Sequence, residues 1–429
     1  MQVRRNNILN GIWNDFMNEV KNNEQGTSLP RKPSAKWYSY LGPGFIMAAI
    51  VFGPGSLTIA SRLGAGYGYS LLWIIVIATF FMVIFVDMAI RIGLATKSSL
   101  ISTIRNKWGK GVAWLIGVGI FLVCASFQAG NTVGAGLAFS EMLQTSITPW
   151  IVFFTLISIS LLYFRGFYVI LEKLMLVLVG VMLFSFFITL LIIQPDFRDV
   201  LSGLAPSLPE GSALLSIAMV ASSFSIVGAF YQSYLVKEKK WERSQVKQAQ
   251  TEGITGIAVL GLIGSIILIC AGGVLHPLGM EINSASDMGL ALEPLFGRSA
   301  TVLFMIGLFG ASFSSLIGNA TVGGTLLSDA LGFGSDLSNV STRLFIMLVM
   351  LIGSIVAIWF GGIPIDLIVF AQGVTIFIVP LIGVILFMTA NSKEITGDLR
   401  NNTLSKLFGL AGILLLVVLA LRNAYLILN

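Results

Sequence analysis

Two short stretches hold the residues whose types and spacing could do chemistry. VFGPGSLTIA, residues 51–60, puts Gly53, Pro54, Gly55 and Ser56 in the middle of an apolar run. VASSFSIVGAFYQSYLV, residues 220–236, puts Ser222, Ser223, Ser225, Gly228 and Gln232 in the middle of another. Proline lacks a backbone donor and fixes φ, and glycine removes side-chain restraint, so both stretches read as helix breaks. Each half-helix that starts at such a break presents unpaired N–H groups and a positive dipole end, which favour anions. A transition metal instead wants carboxylate, imidazole or a soft sulfur donor. Even Mg²⁺ usually keeps one or two carboxylates. Neither break supplies them, so no metal ligands are assigned. The one histidine, His276, falls in a connecting loop, and Cys124 and Cys270 lie inside apolar runs, where they read as small packing residues. There is no enzyme constellation, no cofactor motif and no GxxxxGK[ST] loop.

The elements that must position these residues are membrane spans. Of 429 residues, 56% are hydrophobic and 11% charged, and the mean hydropathy is +0.90, whereas a soluble domain carries about 25% charged residues. A span needs about 20 apolar residues. Eleven are expected, at 41–65, 69–95, 111–142, 148–165, 168–194, 213–236, 251–275, 298–328, 340–361, 364–391 and 404–427. Arginine and lysine concentrate before the first span and after the second, sixth and tenth, which predicts a cytoplasmic N-terminus and an external C-terminus. The organisation expected is a cytoplasmic tail over 1–39, a transporter core over 40–403 and an eleventh span over 404–429. In the tail, Leu9, Ile12, Trp13, Phe16, Met17 and Val20 recur at helical spacing. They read either as an amphipathic helix on the membrane face or as a tail with accidental periodicity. The net charge of +6 reflects loop asymmetry rather than nucleic-acid binding. Asp87 and Arg91 stand four apart and read as a helical ion pair. Arg62 reads either as an interfacial arginine or as an attractor of anions. The loops at 195–212 and 276–297 are acidic and read either as vestibule lids or as solvated connectors.

Spans one and six correspond if ten spans form two halves of five. A matched pair of interrupted spans is the best sequence pointer to an inverted-repeat transporter with a midplane site. GPGSLTIASRLGAGYGYSLLW resembles the first-span signature of Nramp metal transporters, a DPGN core followed by YGYxLLW. GLATKSSL resembles the end of their second span, LEKLMLVLVGVM the start of their fifth and SSLIGNATVGG their eighth, and Gln372 in VFAQGV matches a polar tenth-span position. The resemblance implies an all-α, LeuT-type fold: five plus five inverted transmembrane helices with an eleventh, helices one and six broken. The family's functional residues do not carry over. Gly53 stands for the metal-binding Asp, Ser56 for the Asn, and Ser225, Ile226 and Val227 replace the Met-Pro-His signature. Gln232 takes the place of a further histidine, and Gln128 and Asn131 replace acidic proton-relay positions.

The expected substrate site is therefore Gly53, Gly55, Ser56, Ser222, Ser223, Ser225, Gln232 and Gln372, binding a small inorganic ion. The site is shifted from transition metals toward a small anion such as bicarbonate. The alternatives are a divalent metal ion (Mg or Mn), as in the wider family, a neutral or zwitterionic solute, or a non-transporting sensor. Sodium is the expected coupling ion. Resemblance to sodium-coupled LeuT-type proteins assigns it Ser314, Ser315 and carbonyls near Met47. The protein is expected in the plasma membrane as a monomer, with the lipid bilayer as its surroundings.

Overall fold

A computed structural model describes residues 53–163, 165–360 and 364–428; the expected tail helix and Met47 lie outside them. The described residues fold as helices without strands. In chain order they are α1 (Pro54–Tyr67), α2 (Leu72–Ala95), α3 (Leu100–Trp108), α4 (Lys110–Leu143), α5 (Ile147–Leu161), α6 (Arg165–Ile193), α7 (Ala213–Ser223), α8 (Ile226–Glu238), α9 (Val246–Val274), α10 (Ala300–Leu331), α11 (Val340–Trp359), α12 (Pro364–Val374), α13 (Val379–Asn391) and α14 (Thr403–Leu428), with short helical turns in the loops. The second to eleventh expected spans each overlap one of these helices or a consecutive pair; of the first, residues 41–52 lie outside the described residues and the remainder overlaps α1. Among the described residues, seven helical stretches are long and apolar enough to cross a membrane, or eight if the bent pair α12–α13 is one span.

Two sets of helices pack internally. The first contains α1, α2, α7, α8 and α9; the second contains α4, α5, α10 and α11. Small residues allow the close approach within the second set and to the first: a side chain at Gly117 would collide with Ala330, and one at Gly134 with Ser312 and with Pro54 of α1. With no hydrophobic driving force between helices in lipid, such close packing is a main source of association.

Three polar connections tie the ends of the spans. Arg91 on α2 donates to Asp87 at 2.9 Å, as its spacing implied, and also to the Leu399 carbonyl at 2.9 Å and Asn401 at 2.7 Å. Tyr234 on α8 donates to the buried Asp329 carboxylate at 2.6 Å, which also accepts from Ser102 on α3 at 3.2 Å. Arg105 covers the final carbonyls of α10. At the opposite end Arg62 on α1 pairs with Asp366 at 2.6 Å on α12 and donates to the Ile282 carbonyl at 3.2 Å. Arg62 is thus a strap between α1, α12 and the 276–297 loop, not a free interfacial arginine. His276 lies with Nδ1 2.9 Å from the Ala65 carbonyl, near the C-terminal end of α1.

Candidate substrate-binding site

The break in span six is built by its own sequence. Phe224 and Ser225 leave the helical region, with ψ of 61° and 87°. The Phe224 ring is fully buried against Phe81 and Phe85 of α2, at centroid distances of 5.8 and 5.2 Å. Ser225 then caps α8, its hydroxyl accepting from the Gly228 amide at 3.2 Å, a role for which serine is among the favoured residues. Span one restarts in the same way. Gly53 is extended, with φ −97° and ψ −177°, and Pro54 opens α1, where its missing N–H costs nothing. The chain before Gly53 lies outside the described residues. The start of α1 meets the span-six break: the Ser56 and Ser222 hydroxyls are hydrogen-bonded to each other.

Between the two helix sets this meeting point encloses a cavity of about 40 Å³. Gly53 and Ser56 of α1, Ser222 and Ser225 at the span-six break, and Val227 and Gly228 of α8 form one side. Phe127 and Asn131 of α4, Ser315, Asn319 and Val322 of α10, and Gln372 of α12 form the other. The first amides of α1 and α8 have no acceptor within their own helices. The Asn131 and Asn319 carboxamide nitrogens both turn toward Gln128, at 3.5 and 3.3 Å, and Asn319 also donates to the Cys124 carbonyl at 2.7 Å. Gln128 is anchored in turn on the Leu316 carbonyl at 2.8 Å. These bonds leave the two asparagine oxygens as acceptors for the cavity. The lining is therefore neutral, with amide and hydroxyl donors and carboxamide acceptors. No group of three or more His, Cys, Asp or Glu residues that could hold a metal occurs among the described residues.

Gly53, Ser56, Ser222, Ser225 and Gln372 come together as the sequence reading places them. Gly55 is beside rather than on the cavity wall, because the Gln372 side chain covers it. Two expected members, Ser223 and Gln232, and the relay position Gln128 fall elsewhere. Ser223 turns off the cavity wall, one residue past Ser222. Gln232 sits two turns along α8, where its amide reaches Gly253 of α9. Gln128 is a fully buried brace behind the site, whereas its partner Asn131 is in the wall. The expected sodium pair separates: Ser315 faces the central cavity and Ser314 does not. Consecutive helical residues point about 100° apart. Sequence reasoning missed Asn319, although its position four residues after Ser315 puts it on the same helical face. Arg62, Tyr67, Glu281 and Asn283 line a second, more open cavity of about 310 Å³, as a lidded vestibule would require.

Residues 44–428 match the model of a family described as natural resistance-associated macrophage protein-like. The divalent metal cation transporter MntH of Yersinia pestis (strain Pestoides F) is 26% identical over 423 residues, covering 95% of this chain and 99% of the relative. That of Chromohalobacter salexigens is 27% identical over 396 residues, covering 88% of this chain and 89% of the relative. A crystal structure of the Eremococcus coleocola manganese transporter superposes with a TM-score of 0.73 at 19% identity, covering 93% of this chain and 89% of that one. The nucleobase-cation-symport-1 transporter Mhp1 gives 0.58 at 16% identity, covering 92% and 95%. The fold is thus the LeuT-type arrangement expected from the sequence.

Proposed function

Because the chain belongs to the Nramp family, we propose that it is a multi-pass secondary transporter, and not an enzyme, whose central cavity binds a small oxyanion bearing a hydrogen, with bicarbonate the simplest. The neutral lining carries this reading. An oxyanion can accept from the free amides of α1 and α8 and from the serine hydroxyls, while its own O–H donates to Asn131 or Asn319. The two helix N-termini each contribute the equivalent of about half a positive charge, which offsets part of the cost of taking an anion out of water. The size is consistent. A cavity of about 40 Å³ holds roughly three waters at ~10–15 Å³ each, enough for a few heavy atoms but not for a fully hydrated cation. The basic loops support a cytoplasmic N-terminus.

A divalent metal ion is the second reading. The relatives' described function favours it over bicarbonate, for which no relative speaks, and amide and hydroxyl oxygens are acceptable to a hard cation. Against it stand two positive helix ends and the lack of a carboxylate in the described wall.

Titration calorimetry on the purified protein separates the two. Bicarbonate is expected to bind saturably, nitrate (which has no hydrogen to donate) about tenfold more weakly, and Ser56→Val to abolish both signals. Saturable Mn²⁺ or Mg²⁺ binding that is lost in Ser56→Val, with no bicarbonate signal, would overturn the oxyanion reading.

A further inference from the structure

A third cavity, of about 420 Å³, lies between α7, α12 and α14, away from the substrate site. Its apolar wall is Leu214, Phe370, Val374 and Leu426, and its polar groups are Arg422 and Asn423. Phe370 is half exposed on the flank of the helix assembly, the side that meets lipid. Arg422 has no ion-pair or hydrogen-bond partner among the described residues, whereas Arg62, Arg91 and Arg105 are all engaged. Asn423 is 1% exposed. Its nitrogen donates at 3.2 Å to the Gly373 carbonyl, one residue before the end of α12, leading into the bend between α12 and α13. Its Oδ1 is buried without a partner, a desolvated acceptor that nothing compensates. The cavity thus combines an unpaired cation, an unfilled acceptor and an apolar wall at the edge of the assembly.

We propose that this cavity is a phospholipid site: Arg422 takes the phosphate, Asn423 Oδ1 accepts from a donor in the headgroup, and an acyl chain lies along Phe370 and Leu426. The donor requirement selects ethanolamine or glycerol headgroups over choline, which has no N–H or O–H. Arginine recognises phosphate through charge-assisted hydrogen bonds. Because Asn423 holds the carbonyl beside the span-ten bend, the lipid rests against a hinge of the span that carries Gln372.

Native mass spectrometry on the full chain, with phosphatidylethanolamine, phosphatidylglycerol, phosphatidylcholine and inorganic phosphate as probes, tests this. Phosphatidylethanolamine and phosphatidylglycerol are expected to bind about tenfold tighter than phosphatidylcholine. Arg422→Gln is expected to remove about tenfold of that affinity, the scale of a hydrogen bond to a charged group. The wild-type headgroup comparison stands even if the variant folds poorly. Equal binding of phosphatidylcholine, unchanged binding in a folded Arg422→Gln, or equal occupancy by inorganic phosphate would each overturn the proposal.

Discussion

Ser222→Leu is expected to abolish transport, with uptake at least about 100-fold below wild type, while Ser222→Ala lowers it only about five- to tenfold. The two substitutions remove the same hydroxyl but differ in volume. Losing one neutral hydrogen bond costs about 0.5–1.5 kcal/mol, a factor of up to roughly ten. Leucine instead inserts a branched side chain into a cavity of about 40 Å³ and separates α7 from α1, where Ser56 and Ser222 now touch. Uptake by reconstituted vesicles measures the difference, and a size-exclusion profile matching wild type shows that the fold is retained. Comparable losses in both variants would mean that the hydroxyl, not the space, is what the substrate needs.

Gly53→Asp is expected to yield no Mn²⁺ binding and to abolish bicarbonate binding. Adding a Cβ at Gly53 brings it within 3.0 Å of Asn131 Oδ1 and 3.2 Å of Ser315 Oγ, so the carboxylate enters against oxygen atoms in a wall with no cation. At the N-cap of α1 the carboxylate can accept from the amides that would otherwise hold the anion, so it takes the place of bicarbonate. Gly53→Asp, Ser56→Asn and Ser225→Met together are expected to confer saturable Mn²⁺ binding. The cost is the Ser225 cap on α8, about 1 kcal/mol. Titration calorimetry on both variants reads this directly. Mn²⁺ binding by the single variant would show that one carboxylate is all the cavity lacks.

The helix starts at Pro54 and Ile226 were legible because glycine, proline and serine act locally: Pro54 starts a helix and Ser225 caps one whatever lies around them. Which polar residues face the cavity was legible only where helical phase was applied. Asn319 follows from Ser315 by the four-residue rule, and the separation of Ser314 from Ser315 follows from the same geometry. Gln128 drew attention as the replacement of an acidic position, yet it is a buried amide that needs partners and finds one in the Leu316 carbonyl of α10. The Arg62–Asp366 pair joins residues 304 apart, which no local pattern contains. The 46° bend between α12 and α13 had a signal in Pro380, the second residue of α13.

The most direct measurement is isotope uptake by the reconstituted protein, with ¹⁴C-bicarbonate at alkaline pH, where little permeant CO₂ is present, and with ⁵⁴Mn²⁺ in parallel. A neutral cavity facing two helix N-termini predicts bicarbonate uptake that Ser222→Leu eliminates, and Mn²⁺ accumulation no faster than in protein-free vesicles. Mn²⁺ uptake that Ser222→Leu eliminates, with bicarbonate at background, would contradict it.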